Sequence, residues 1–549
     1  MRNIILPTLV FILGSSALTA QDRSFGALPL AQKPGAVRSA ERYQKDTPEY
    51  QRALGIYNRL VAARGDFRYP VPAFVLQKAI SRMAGIDYDR HEIYLEGKAY
   101  EICNSLGATS DAAIAFLLAH ELAHYYEKHA WRKGFVQDYK DLNIGLQLNS
   151  LIDAAARETE ADYVGGFLAY SAGFGLFDKG SDLLSKLYQA YNIPPEETDQ
   201  YPSLSDRQAM SQRSAEKLSR LVEVFEMANL LTAIGHYSDA YAYYQYVLMT
   251  YQSREIYNNL GVTALLDALQ YFSPTEQKFR LPIVLDPTST ATRDIATAPN
   301  RDSLIRQAIF HFDAAISLDP RYAPAYLNKA CAFTLLKDYD RARFYAGVEA
   351  KQIATQYKLP QTALNADVLI GIIEALEGET HKAQTVLSLA ANAGSDLATY
   401  NLLVLRNETI TTETTDFPEP DKTEQIDNQA LARIAAEGNV DNSKTVAFNS
   451  QMFFYQNPNQ GPHSRLFAHE NTATGKITYI HLTNPGYPGK TARQIGLGAS
   501  RADIVDVYGK PGHTLETPNG QIMVYKKTRK MIFKLGADGK LEQWGNFME

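Results

Sequence analysis

Cysteine is nearly missing from this chain. Its 549 residues include two, Cys103 and Cys331, and that number excludes a disulfide framework. The two fall in different expected domains and read as buried thiols. Long apolar runs are missing too. Beyond the N-terminal segment, no stretch approaches the roughly 18 uninterrupted apolar residues of a spanning helix. No long basic run occurs, and the net charge is −6, so nucleic acid is not an indicated partner.

What is present is an ordinary globular composition, 45% hydrophobic and 21% charged. The length argues for about three to four domains. Tyrosine is abundant at 34 residues, which suits helical-repeat packing as readily as a binding role. At the N-terminus, Arg2 precedes an apolar core from Ile4 to Leu13, and the small residues Gly14 to Ala20 follow. This is the pattern of a secretory signal over 1–20, cut after Ala17 or Ala20. No cysteine follows the core, so a lipid anchor is not expected. The mature chain is expected to be exported, periplasmic or secreted, with no transmembrane segment.

The most informative stretch is His120-Glu121-Leu122-Ala123-His124. It continues a run from Asp111 to Ala119 without Gly or Pro, which reads as helix. Residues four apart share a helix face, so both imidazoles can reach one metal ion. Glu121 stands one residue along and can hold a water and take its proton. Two His and such a Glu form the arrangement used for zinc-assisted amide hydrolysis. A bare match also fits a helix with two surface histidines. Zinc needs a third protein ligand and an open fourth position. Downstream, Arg157-Glu158-Thr159-Glu160-Ala161-Asp162 continues to Gly165 in a second helical segment. Glu158 offers an oxygen ligand. Asp162, one turn later, can accept the free N–H of His120 or His124 and fix its tautomer.

The two motifs together, in this order, resemble the M48 zinc metallopeptidases over roughly residues 45–215. The resemblance implies one Zn²⁺ per chain, held by His120, His124 and Glu158, with Glu121 as general base. It also implies a His-Pro-x-x-x-x-Arg stretch near the metal. Here that stretch reads Tyr201-Pro202-Ser203-Leu204-Ser205-Asp206-Arg207, so Pro and Arg fit and Tyr201 replaces His. The Tyr201 hydroxyl can donate to a developing oxyanion or ligate weakly; equally, it can pack on the surface. Arg207 is expected to brace the helix that carries the carboxylates. From Asp87 to Cys103, apolar and aromatic alternation suggests strands or a hairpin around Gly97. By analogy with zinc peptidases this segment is the edge strand that pairs with substrate; a purely structural strand fits equally.

From about 217 a repeat with a period near 34 residues takes over. Ala228, Gly235, Tyr237, Ala240 and Tyr244 begin it. Tyr257, Leu260, Gly261 and Ala264 follow, and their partner helix, with Ala308, Phe312 and Ala315, comes after an insertion. Tyr326, Ala330, Phe333, Ala342 and Ala346 form a third unit, and Gly371, Gly378, Ala383, Leu387 and Ala390 a fourth. The pattern resembles tetratricopeptide repeats, whose stacked helices present a groove for segments of other proteins. Ser500 is the expected N-cap of a short helix ending at Gly509. Alternating segments at 476–482, 521–525, 530–535 and 540–544 read as strands, in an order that resembles small modules of bacterial envelope proteins. His463, His469, His481 and His513 lack metal-ligand spacing.

The expectation is therefore a mainly α protein. A zincin-like metallopeptidase domain at 45–215 precedes a TPR-like α-solenoid at 217–405, with an insertion at 272–300. A linker at 408–442 leads to a small C-terminal α+β domain at 443–549. The expected function is a zinc-dependent endopeptidase acting on polypeptide substrates, namely envelope or secreted proteins. As resemblance to repeat-bearing members implies, its role would be quality control, with a protein partner or substrate docked on the repeats. The alternative is a chaperone or assembly factor with a latent or structural zinc site.

Overall fold

The computed structural model describes residues 41–78, 83–88, 90–127, 154–175, 177–196, 203–249, 251–273, 275–285, 301–408, 423–437, 446–449, 452–457, 463–471, 474–517, 520–526, 530–536 and 538–549. The expected signal at 1–20 and Tyr201 lie outside them. The described chain is mainly helical with a C-terminal sheet region. Among the described residues, no helix is long and apolar enough to cross a membrane.

Helix α1 (Pro48–Arg64) starts with the Thr47 hydroxyl accepting from Tyr50 N and Pro48 in the first turn. Three short strands follow: β1 (Ala73–Gln77), β2 (Ala84–Asp87) and β3 (Glu92–Glu96). β3 lies in the middle, parallel to β1 and antiparallel to β2. This corrects the reading of 87–103. Gly97 opens helix α2 (Gly97–Asn104) rather than turning a hairpin, and β3 is paired on both sides, so it is no edge strand. The apolar run that suggested a hairpin is one fully covered strand followed by a helix whose Ala99, Tyr100 and Cys103 face inward.

Helix α3 (Ser110–Tyr126) is apolar nearly all round and is buried on almost every side, as a core helix must be. α4 (Ala154–Ala169) and α5 (Gly180–Tyr191) pack around it. α6 (Leu204–Ile234) begins at Ser203, whose hydroxyl accepts from Asp206 N at 3.1 Å. It ends at Gly235, whose φ of 87° is open to glycine at little cost. No Pro or Gly interrupts Leu204 to Ile234. The domain boundary expected at 215–217 therefore falls inside one continuous helix, which belongs to both halves.

Helices then follow in packed pairs. α6 meets α7 (Tyr237–Leu248), and α8 (Arg254–Leu269) meets α9 (Arg301–Leu318). α10 (Ala323–Leu335) packs on a helix that runs through Tyr339–Arg343, Phe344–Ala350 and Lys351–Gln356, its middle wound with wider turns. Pro360–Leu376 packs on Thr380–Asn392, and Asp396–Leu405 closes the series. Gly261 and Gly371 sit where the helices of a pair touch, whereas Gly235 and Gly378 lie at helix ends with positive φ. A methyl on Gly261 would overlap the Phe312 ring, and one on Gly371 would lie 2.7 Å from Leu387 Cγ.

Within the expected linker, β4 (Gln425–Ile426) and β5 (Gln429–Ala430) form a hairpin and Leu431–Glu437 a helix. Leu431 and Ile434 pack on Leu466 and Tyr479. The last region is one antiparallel sheet of eight strands, in the order β10-β11-β12-β13-β9-β8-β7-β6. These are β6 (Val446–Asn449), β7 (Met452–Asn457), β8 (Ser464–Asn471), β9 (Lys476–Thr483), β10 (His513–Thr517), β11 (Gly520–Tyr525), β12 (Met531–Leu535) and β13 (Leu541–Met548). The helix Arg501–Tyr508 has the expected Ser500 cap, completed reciprocally by Asp503. The sheet is tied to the helices by polar contacts: Tyr243 Oη lies 2.7 Å from His469 Nδ1, and Arg465 pairs with Glu226.

Two glycines test this packing with opposite signs. Gly261→Ala should lower stability by about 1–3 kcal/mol through overpacking. Gly55, exposed in α1 with open space around it, should gain about 0.5–1 kcal/mol on replacement by Ala. Urea midpoints measure both; equal and same-signed shifts would contradict the account.

Candidate metal centre

The site is built where α4 crosses α3. Glu158, Asp162 and Gly165 recur on one face of α4. A Cβ on Gly165 would lie 2.8 Å from the Ala119 carbonyl carbon and oxygen and from the His120 nitrogen. Glycine there lets the two backbones touch. With Ala161 and Ala123 also buried beside this contact, the helices close to a distance that brings the carboxylates onto the imidazoles.

His120 Nε2 and His124 Nε2 are 3.0 Å apart. Glu158 lies 3.5 Å from the first through Oε2 and 3.4 Å from the second through Oε1. Ligand atoms of these three side chains all lie within 4.8 Å of one another. A tetrahedral zinc with bonds of about 2.0–2.1 Å separates its donors by roughly 3.3 Å. The spacing and the donor set both fit that ion. Asp162 Oδ1 lies 2.8 Å from His120 Nδ1. An N–H at Nδ1 leaves Nε2 with its lone pair toward the cluster, the tautomer a metal needs. Arg207 enters from α6, 2.8 Å from Glu158 Oε2 and 3.7 Å from Asp162 Oδ1. It braces the carboxylates directly. Tyr201 lies outside the described residues.

The electrostatics are those of a crowded, dry cluster. Burial alone would lower the His120 pKa, but Asp162 and Glu158 outweigh it and raise it to about 10. Burial opposes the charge of Glu158, yet Arg207 and the two imidazoles hold it well below the usual carboxylate range. Glu121 is different. It is fully buried, and neither carboxylate oxygen has a hydrogen-bond partner among the described residues. Burial pushes its pKa up to about 8, opposed by His120 and reinforced by Glu158. A buried carboxylate without a partner is costly. Such a group needs water or a reacting molecule beside it.

Charge balance links these facts. Without a metal, these shifts favour a proton on both His120 and Glu121. A divalent cation takes the place of two protons, one from His120 and one from Glu121.

Some residues of the site are not apparent from motif spacing. Ser214 and Ser211 line a small pocket with Asp162, Phe116 and Gly166. Asp162 Oδ2 and Ser214 Oγ both lack partners among the described residues. The available signal is the interval from Arg207 to Ser214, two helical turns on one face. Arg64 is another. It pairs with Glu127 at 3.2 Å, just past the end of α3, and donates to Gln252 O at 3.1 Å. It thereby pins the C-terminal end of the histidine helix to the chain that leads into α8.

Zinc titrated into chelated protein at pH 7 should bind once per chain and release about two protons, with affinity rising with pH. Calorimetry in buffers of different ionisation enthalpy measures this. Asp162→Asn should weaken binding by about 10–100-fold, and Glu158→Ala should abolish stoichiometric uptake. Proton release near zero would contradict the charge balance. No protein-family model matches this chain, and no curated protein matches it either, so the reading of the centre rests on its own geometry.

Proposed function

We propose that this chain is a zinc-dependent endopeptidase that cleaves polypeptides outside the cytoplasm, with its helical array as a docking surface for substrate or partner. The observation that carries the reading is the buried, unpartnered Glu121 beside the converging donors of His120, His124 and Glu158. The same donors, with Asp162 and Gly165 on the second helix, support the resemblance to M48 metallopeptidases and a zincin-like arrangement. The paired helices after Leu204 support a TPR-like solenoid. The export reading rests on residues 1–20.

Zn²⁺ held by His120, His124 and Glu158 would supply Lewis acidity and lower the pKa of a bound water from 15.7 toward about 7. The protein's own groups do the rest. Glu121 takes the proton of the attacking water and delivers it to the leaving amine. Burial raises the proton affinity of its carboxylate, which helps it hold the proton between the two transfers. Asp162 fixes the His120 ring, and Arg207 holds Glu158 in place. β2 pairs only with β3 in the described sheet and lies against α3. Ala84, Gly85 and Ile86 are buried, so β2 offers no open edge to a substrate main chain.

The alternative reading is a chaperone or assembly factor with a latent or structural zinc site. Glu121→Gln separates the two. The endopeptidase reading expects equal zinc content and a fall of about 10²–10⁴ in hydrolysis of unfolded casein. Equal hydrolysis by both proteins would overturn the assignment of Glu121. If neither protein hydrolyses casein and both suppress aggregation of an unfolded client, the binding reading replaces it.

A further inference from the structure

Part of the insertion between α8 and α9 runs back across the helical array. Residues 279–285, Phe-Arg-Leu-Pro-Ile-Val-Leu, form no helix and make strand-like pairing only at a single β-bridge at Val284, so most of their main chain needs partners elsewhere. Asparagine side chains supply them. Asn401 accepts from Arg280 N at 2.9 Å and donates to Arg280 O at 3.0 Å. Asn328 does the same for Val284, at 2.8 Å in both directions. Asn258 adds a bond to Val284 O at 3.2 Å and accepts from Asn328 at 2.8 Å.

Asn401 and Asn328 thus each pair with both main-chain groups of one residue, as a neighbouring strand would. These three asparagines are completely buried. They stand on α8 (Asn258), α10 (Asn328) and the closing helix Asp396–Leu405 (Asn401). Asn365, on the intervening Pro360–Leu376, is also buried, and its Nδ2 has no partner among the described residues. One rung of the series therefore keeps a donor in reserve. The strap adds apolar contact at both ends. Phe279 and Leu281 pack against Val368, Ile372 and Leu402, while Ile283, Val284 and Leu285 are buried in the core of the array.

We propose that the asparagine-bearing face of the array is a binding site for polypeptide main chain, and that residues 279–285 are its resident ligand, displaced by a non-helical apolar segment of a client protein. Recognition through N–H and C=O carries no sequence information beyond the need for a free main chain and apolar side chains. The client fitted to it is therefore an unfolded segment rather than a defined motif. Folded proteins have no such main chain to offer. The strap keeps the buried amides satisfied until one arrives, since an unpaired buried amide is costly. The proposal rests on the docking half of the function proposed above and not on the metal centre.

The test uses a fluorescent synthetic peptide with the sequence of residues 278–285 and three full-length proteins. These are wild type, a variant with 279–285 replaced by Gly and Ser at equal length, and that variant carrying Asn328→Ala and Asn401→Ala. The strap-replaced protein should bind the peptide more tightly than wild type. The double asparagine change should weaken binding by roughly tenfold or more, as loss of several hydrogen bonds implies. A peptide N-methylated at the position of Val284 should lose affinity similarly, whereas a shuffled apolar sequence should not.

Absence of peptide binding by the folded strap-replaced protein would overturn the proposal. Hydrogen exchange of wild type decides the matter if that variant does not fold. The amides of Arg280 and Val284 should exchange about 100-fold faster than those in the middle of α10, because the strap opens locally. Equal protection would make the strap a fixed part of the core and overturn the displacement. None of these measurements involves zinc or hydrolysis, so an inactive metal centre leaves their outcome intact.

Discussion

Two helices cross with nothing but backbone between them where Gly165 meets Ala119 and His120. The site follows from that contact. Its closeness puts Asp162 on the Nδ1 side of His120 and Glu158 across both Nε2 atoms. A methyl group there would force the helices apart, and donors separated by another ångström would no longer close on one ion. The histidines themselves need only the spacing of one helical turn. The third candidate ligand, Glu158, depends on packing, and packing is where a glycine decides.

Convergence of so many charges in a dry interior requires compensation, since an unpaired buried ion costs several kcal/mol. Arg207 provides it from a third helix, touching both carboxylates. That helix is α6, which runs unbroken into the first helical pair of the array. The residue that balances the centre and the residues that start the array therefore sit on one rigid rod. On the opposite side, Arg64 joins the end of α3 to the segment before α8. The centre is held between two attachments to the same array. Displacement of either helix end would be felt at the donors.

Much of the centre was legible because its chemistry is local in sequence. His120, Glu121 and His124 are neighbours, and Glu158 and Asp162 are one turn apart; helix geometry does the rest. The small residues of the helical pairs were legible for a similar reason. Ala240, Ala308 and Ala346 recur because a close crossing excludes bulk, and all three are buried. What escaped was non-local. Glu92–Glu96 carries the apolar and aromatic run Ile93-Tyr94-Leu95 that fits any strand, but its position between β1 and β2 is set by pairing that no local pattern records. The hairpin and helix at 425–437 hide in a polar stretch because their apolar residues, Ile426, Leu431 and Ile434, are few. The asparagines at 328, 365 and 401 recur once per helix pair. Polar residues in apolar helices carry a signal as strong as alanine or glycine, but a reading tuned to small and aromatic positions passes over it.

The metal centre and the strap share one physical theme: buried polar groups whose needs are met from a distant part of the chain. In the strap the partners are present, and the array is satisfied. In the centre Glu121 has no hydrogen-bond partner among the described residues, and the cluster of donors beside it defines what is needed. The most direct test of this account is X-ray absorption at the zinc edge on purified, zinc-loaded protein. It predicts a shell of nitrogen and oxygen only, at about 2.0–2.2 Å, with two imidazoles among the ligands and one fewer in His124→Ala. A shell containing sulfur, or one unchanged by that substitution, would place the ion elsewhere and contradict the account.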